Sequence, residues 1–285
     1  MNAELAVLLV ILAAFSVYNV LSGMELGVAL MRLGPRLAPV LPSKRVFTPR
    51  WELTNILLIA GAAGLTMRFG DATADIAEAT WPVLAVGLLA LLLRAGVLMY
   101  LFASRAKPGG RLPNYVFALA SLVVPLSLGS AGIYMLTGEP FWQTVVGASL
   151  FASLLAGLLA LAFGFVYYVG AHRAPQGVVL VSRVCNLVLA GLLALVLVGV
   201  LRTGGSHLLN LPYAYLAVIA SSIVLLQAVW LAANREWRMW WCLAGLALLA
   251  PFLMCLANYP YLVYPDIMLS SQSVTETVFG SLVAQ

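Results

Sequence analysis

Glu52 is the residue whose type and position most favour proton chemistry in this chain. It lies in the run WELTNILLI, residues 51–59, where a basic loop ends at Arg50 and an apolar helix is predicted to begin. An ionisable side chain that enters a bilayer is costly, so it often marks a path or a site. A carboxylate there can exchange a proton, and Thr54, Asn55 or water can extend the hydrogen bonding inward. The alternative is a first-turn acid that is favoured by the helix dipole and paired with an arginine of the preceding loop.

Three further charged residues fall inside or at the ends of apolar runs. Glu25 lies about two turns before Arg32; we expect it either to share in proton transfer or to be a paired acid in the protein interior. Arg94 lies deep enough in its run to need compensation, by reaching the interface or by pairing with a carboxylate. It is predicted to form a structural ion pair or to help hold an anionic group, such as that of a lipid, across an interface. Arg183 is similar but nearer to the membrane edge.

The composition places these residues in an integral membrane protein. Hydrophobic residues make up 63% of the 285 residues and charged residues only 9%, against about 25% charged in soluble domains. The apolar runs are too long and uniform for barrel strands, so we expect membrane-spanning helices. The eight predicted spans are residues 4–32, 51–68, 81–103, 115–137, 142–171, 177–202, 213–234 and 237–258.

The charges of the connecting segments predict the orientation. The first, third, fifth and seventh connections carry arginine or lysine, whereas the second and fourth connections and the tail carry aspartate or glutamate. By the positive-inside rule the odd connections are cytoplasmic and both termini lie outside. The net charge of +5 follows from this distribution over short loops, so nucleic acid is not an expected partner.

The two halves of the chain resemble each other. The second span reads NILLIAG from Asn55 and the sixth reads NLVLAG from Asn186, while the fourth and eighth spans each contain a proline, Pro125 and Pro251. Copies separated by four spans have the same orientation, which predicts a parallel repeat about an axis along the membrane normal. We therefore expect an all-α polytopic protein of two four-helix bundles and a tail along the outer surface, at residues 1–141, 142–258 and 259–285.

Few residues could bind a metal or perform catalysis by themselves. His172 is predicted at the end of the fifth span and His207 in an outer loop, so neither lies deep in a helix where a haem ligand is needed. The three cysteines lie in apolar runs without metal-ligand spacing. No phosphate-binding loop, zinc helix or nucleophile elbow interrupts the spans. The chain is thus expected to have no catalytic residues and to bind neither metal nor haem by itself.

Two motifs carry a family resemblance. They read SGMELGVALMRLGPR, at residues 22–36, and RWELTNILLI, at residues 50–59. They resemble subunit II of cytochrome bd quinol oxidases, which has D-G-F-D-[LM]-G-V-G-M-L and then H-W-D-G-N-Q-V-W-L-I. Similar segments follow in the same order at residues 91–96, 121–141, 164–184 and 258–275.

The resemblance implies a haem-free subunit in a heterodimer with a larger, haem-bearing subunit I. That partner holds two b haems and haem d, or their equivalents, oxidises quinol and reduces dioxygen to water. Subunit II stabilises it and contributes a proton path from the cytoplasm. The expected location is the cytoplasmic membrane of a bacterium or archaeon. Small single-span subunits, membrane lipid and a structural quinone are further candidate partners.

The resemblance also assigns positions. Glu52 follows Trp51 as the family's aspartate follows its tryptophan, and Glu25 matches the second aspartate of the first motif. Ser22 replaces the first aspartate of that motif, and residues 53–55 replace the family's G-N-Q. The predicted proton path therefore comprises Glu52, Glu25, Asn55 and Thr54, while Trp51, Arg94 and Arg183 are expected as structural or interface residues.

Two other classes of function remain open at this point. A secondary transporter built from a parallel repeat would place Glu25, Glu52 and Arg94 in a substrate cavity. A purely structural membrane subunit would keep its acids only in packed ion pairs. The oxidase hypothesis predicts dependence on a haem-bearing partner, whereas a transporter would function alone.

Overall fold

Eight α-helices make up most of the part of the chain that the structure describes. The computed structural model describes residues 3–33, 50–103, 111–170, 175–202, 214–233 and 239–269. The helices are α1 (Ala3–Leu33), α2 (Arg50–Arg68), α3 (Gly70–Ala103), α4 (Arg111–Thr137), α5 (Val145–Gly170), α6 (Gln176–Arg202), α7 (Ala214–Ala233) and α8 (Trp240–Asn258). Two short strands follow, β1 (Tyr261–Val263) and β2 (Ile267–Met268).

Helix length and composition agree with a multi-pass membrane protein. Among the described residues, α1, α3, α4, α5 and α6 are long and apolar enough to cross a bilayer. Helices α2, α7 and α8 have 19, 20 and 19 residues. At 1.5 Å per residue each measures about 30 Å, which is the thickness of a hydrocarbon core. The chain is an all-α polytopic membrane protein, as predicted.

Helix α3 begins at Gly70, and the prediction that this span starts near residue 81 is wrong. The acidic segment 71–78, which was expected to be a connecting loop, forms the first turns of the helix. Acidic side chains are favourable near a helix N-terminus. Ala72 and Ile76 on the same turns are buried. Tertiary burial of this apolar face therefore outweighs the local loop signals.

Helix α1 occupies the centre of the packing. It contacts α2, α4, α5 and α8. Most of the remaining contacts connect neighbours in sequence, including α3 with α4, α5 with α6, α6 with α7, and α7 with α8, and α5 also contacts α8. The same pattern would result from a repeat of four helices, with α1 matching α5 and α4 matching α8. The division into two bundles near residue 141 stays a prediction.

A glycine allows α1 and α5 to approach closely. A Cβ atom at Gly27 would lie 2.8 Å from the backbone oxygen of Ala162 and 3.0 Å from Cδ1 of Phe165. Small residues at helix interfaces permit this backbone approach in membrane proteins, where van der Waals packing drives association. Gly27 therefore helps to set the distance between the two central helices.

The β-hairpin covers one end of the helices. Its buried side chains Leu262, Val263 and Leu269 belong to a hydrophobic cluster with Leu8 of α1 and Tyr134 of α4. The side chain of Asn258, at the end of α8, donates to the backbone oxygen of Met135 at 2.8 Å. Residues 259–269 thus contact the helix ends as a covering segment would. The rest of the predicted tail, residues 270–285, lies outside the described residues.

Candidate functional site

A buried ion pair connects α1 with α3. The Nη2 atom of Arg94 contacts Oε2 of Glu25, and the two side chains are only 2% and 5% exposed. Two opposite charges compensate each other where water is excluded, whereas either charge alone would be costly. Of the two arrangements predicted for Arg94, the structure shows pairing with a carboxylate.

Helix α2 contributes the uncharged members of the site. The Nη2 atom of Arg94 also donates to Oδ1 of Asn55 at 3.3 Å. Thr54 is 1% exposed and lies near the Glu25 carboxylate. Glu25, Thr54, Asn55 and Arg94 together form the Glu25 cluster, which joins three helices. The structure thus brings together three of the four residues predicted for the proton path.

Helix geometry explains how the cluster forms near one end of the molecule. Asn55 lies between one and two turns from the start of α2, and Arg94 lies in the last third of α3. Glu25 lies toward the end of α1. These three helix ends flank the first and third connections, which carry the basic residues. The cluster is therefore at the end of the bundle that the positive-inside rule assigns to the cytoplasm.

Tyr18 and Ser22 extend the site along α1. Both side chains are fully buried, and the Tyr18 hydroxyl lies near the charged groups of Glu25 and Arg94. Neither the Tyr18 nor the Ser22 hydroxyl has a hydrogen-bond partner among the described residues. Sequence reasoning gave Tyr18 no role, although the spacing of residues 18, 22 and 25 places all three on one face of a helix. That periodicity, applied outward from Glu25, could have identified it.

For two residues of the predicted site, the structure describes only the backbone. Trp51 and Glu52 lie in the first turn of α2, but their side chains are outside the described part of the structure. The backbone places Glu52 about one turn before Asn55, nearer to the helix end. Its position along the helix axis is thus between the basic connection and the Glu25 cluster.

Arg32 forms a second buried polar contact near the same end. Its Nε atom donates to Oδ1 of Asn114 at 2.9 Å, which joins the end of α1 to the start of α4. Glu25 and Arg32 lie on the same side of α1, two turns apart. Glu25 nevertheless pairs with Arg94 of a different helix.

Arg183 binds the end of a neighbouring helix. Its Nε and Nη2 atoms donate to the backbone oxygens of Ala232 and Ala233, both at 2.8 Å. The last carbonyls of a helix have no partner within the helix, and a cation is favourable there. The contact connects α6 with the end of α7.

Within the described ranges, no group of three or more His, Cys, Asp or Glu side chains could hold a metal ion. Cys185, Cys242 and Cys255 are free thiols. His172 and His207 lie outside the described residues. The chemistry that the described site offers is therefore proton exchange at a carboxylate and hydrogen bonding around it.

The transporter hypothesis predicts a substrate cavity around Glu25, Glu52 and Arg94. The side chains of Glu25 and Arg94 are instead packed in direct contact and almost fully buried, and the side chain of Glu52 lies outside the described part of the structure. The structure contains a crevice elsewhere, between α5, α6, α7 and α8, and neither Glu25 nor Arg94 lines it.

Comparison with known proteins decides the family. A family model described as cytochrome bd terminal oxidase subunit II matches residues 3–284. The chain belongs to this family. It is a subunit of an oxidoreductase complex whose family name implies a partner subunit I, and haems and quinol belong to that complex. No curated protein sequence matches the chain.

A solved structure has the same fold. One chain of the bd oxidase from Geobacillus thermodenitrificans superposes with a TM-score of 0.71 and is 16% identical in sequence. The match covers 100% of this chain and 93% of that chain. At this level of identity the similarity establishes the fold alone. Family membership rests on the family model, which spans nearly the whole sequence.

Proposed function

We propose that this chain is the haem-free subunit of a cytochrome bd-type quinol:O2 oxidoreductase. In this role it stabilises the haem-bearing subunit I and carries protons from the cytoplasm toward it. The proposed proton route comprises Glu52, Thr54, Asn55 and Glu25. The observation that carries the proposal is the buried Glu25–Arg94 contact, with Asn55 and Thr54 beside it.

The environment of Glu25 suits a group that exchanges protons. Burial disfavours the charged form of a carboxylate, whereas a neighbouring guanidinium favours it. Both effects act on Glu25, and we propose that its carboxyl group changes protonation state during turnover. A solvent-exposed carboxylate would lack the first effect, and an unpaired buried carboxylate would lack the second.

The order of residues along α2 supports a direction for the route. Glu52 is nearest to the helix end and to the basic first connection, and Thr54 and Asn55 follow within one turn. Thr54 lies near Glu25, and Asn55 contacts Arg94. A proton that arrives at Glu52 would thus meet the Glu25 cluster after about one turn of helix. We propose that this end faces the cytoplasm of a bacterium or archaeon.

The residues that the structure describes do not fit a haem site, and we assign the haems to the partner. Haem iron in a membrane bundle needs an axial ligand such as histidine or methionine facing the haem. The described ranges contain no histidine. Met31, the most buried methionine among the described residues, is packed in the hydrophobic core. No step of the proposed route therefore passes through a cofactor held by this chain.

Apolar side chains on the outside support the stabilising role. Ile56 and Ile59 of α2, and Leu88 and Leu92 of α3, are about 60% exposed. Large exposed apolar surfaces mark contact with lipid or with another protein. We propose that part of this outer surface packs against subunit I and that the remainder contacts membrane lipid.

Glu25→Gln in the purified two-subunit complex tests the route. We expect quinol-driven oxygen consumption and proton uptake from the cytoplasmic side to fall at least tenfold, while the haem spectrum of the partner stays normal. Glu52→Gln should act in the same way. Glu4→Gln is the matched control, since Glu4 lies on the same helix and forms an ion pair with Arg68 at 3.4 Å, away from the cluster.

A double variant separates proton transfer from a purely structural ion pair. Glu25→Gln with Arg94→Met removes both charges, so it avoids an uncompensated buried charge. If the pair is only structural, the double variant should recover the turnover that either single change loses. Recovery to the wild-type rate without a carboxylate at position 25 would contradict the proposed route.

A further inference from the structure

A crevice between the last four helices contains polar groups that the proposed proton route does not use. It lies between α5, α6, α7 and α8 and has a volume of about 20 Å³. Its lining includes Gly164, Ser182, Arg183, Asn186 and Trp240. We call it the Trp240 crevice. It does not involve the Glu25 cluster, which joins α1, α2 and α3.

Two nearly buried side chains of the crevice have polar atoms without a hydrogen-bond partner. Asn186 is 2% exposed and Trp240 is 4% exposed. Asn186 Oδ1 and Trp240 Nε1 have no hydrogen-bond partner among the residues that the structure describes. The Nδ2 atom of Asn186 donates to the backbone oxygen of Ser182 at 2.8 Å, so the orientation of the amide is set by this bond. The free atom of Asn186 is therefore its acceptor oxygen.

A glycine keeps space open beside these groups. A Cβ atom at Gly164 would lie 3.4 Å from Cδ1 of Trp240 and 4.0 Å from Oγ of Ser182. Cδ1 is bonded to Nε1 in the indole ring, so the polar edge of Trp240 borders the space that Gly164 leaves. Leu243 closes this space at 3.1 Å from the same Cβ position.

The two unpartnered atoms define the chemistry of a ligand. Trp240 Nε1 can only donate, and Asn186 Oδ1 can only accept. A ligand that satisfies both must accept one hydrogen bond and donate another, as a hydroxyl group does. A phosphate or carboxylate would satisfy Trp240 and leave the Asn186 oxygen facing negative charge. Arg183, the cation of the lining, already donates to two carbonyls of α7.

The volume favours the smallest hydroxyl ligand. A buried site needs about 10–15 Å³ to hold one water molecule, and the crevice has about 20 Å³. We propose that the Trp240 crevice binds a single ordered water molecule that accepts from Trp240 Nε1 and donates to Asn186 Oδ1. A hydroxyl of a lipid or quinol has the same hydrogen-bonding capacity, so the shape of the bound density must distinguish it from water.

A cryo-EM map of the wild-type two-subunit complex, at a resolution that shows ordered water, tests the proposal. We expect one compact peak within hydrogen-bond distance of both Trp240 Nε1 and Asn186 Oδ1. An empty crevice would overturn the proposal. Continuous elongated density would also overturn it, because that result would identify a lipid or quinol as the ligand.

A pair of glycine variants provides the matched control. Gly164→Ala places a methyl group in the space beside Trp240 and should abolish the peak. Gly245→Ala is also in a helix of this group, but its Cβ would have no atom within 4 Å, so the peak should remain. A peak of unchanged height in the Gly164→Ala map would contradict the assigned position. The wild-type map decides the proposal even if Gly164→Ala fails to assemble.

Discussion

Removing Glu25 should destabilise the protein more than removing Arg94. Both side chains are almost fully buried and in direct contact. Glu25→Gln leaves a guanidinium in the interior, and arginine cannot lose its proton in a protein. Arg94→Met leaves a carboxyl group, which can take up a proton and become neutral. The two variants therefore differ in whether an uncompensated charge stays inside.

The structure permits an estimate of each cost. Breaking a buried ion pair by removing one partner costs about 3–5 kcal/mol when the remaining charge stays uncompensated, and we apply this range to Glu25→Gln. Arg94→Met should cost about 1–3 kcal/mol, the penalty for leaving one buried polar group without its hydrogen bond. For a chain of this size, the difference of about 2 kcal/mol corresponds to roughly 4–8 °C in the unfolding midpoint.

The assay is thermal unfolding of the purified complex in one detergent at neutral pH. Wild type, both single variants and the double variant should be compared at equal protein concentration. We expect the double variant to unfold close to Arg94→Met, because neither contains a buried unpaired charge. A larger loss of stability for Arg94→Met than for Glu25→Gln would refute the reasoning. Additive effects in the double variant would also refute it, since residues in contact should couple.

Two further predictions concern the scaffold. Gly27→Ala should separate α1 from α5 and lower the unfolding midpoint by several degrees, because its Cβ would lie 2.8 Å from the Ala162 backbone oxygen. The control is Gly191→Ala, whose Cβ would have no atom within 4 Å and which should leave the midpoint unchanged or raise it. Equal effects of the two variants would contradict the close approach of α1 and α5. Asn258→Ala should increase cleavage of residues 259–269 by added protease, because the side chain of Asn258 donates hydrogen bonds to the backbone oxygens of Met135 and Leu262. Unchanged cleavage would show that apolar packing alone holds the hairpin.

The helices and the class of protein were predictable because their signals are local. A continuous apolar run of about 20 residues has few stable forms other than a helix in a bilayer. The family resemblance is also readable in residues 22–36 and 50–59, and the family model matches nearly the whole chain. The start of α3 at Gly70 was missed because its first turns are acidic, and only burial of Ala72 and Ile76 explains them.

The partner of each buried charge was decided by tertiary structure. The cost of an arginine in a bilayer predicts that Arg94 must be compensated, but it does not say by which group. Glu25 has Arg32 two turns away on its own helix, yet Arg32 contacts Asn114 and Glu25 contacts Arg94. Which side chains meet depends on how each helix is rotated about its axis and how closely α1, α2 and α3 approach. Those quantities depend on the packing of many apolar side chains, whereas the presence of each helix depends on its own composition.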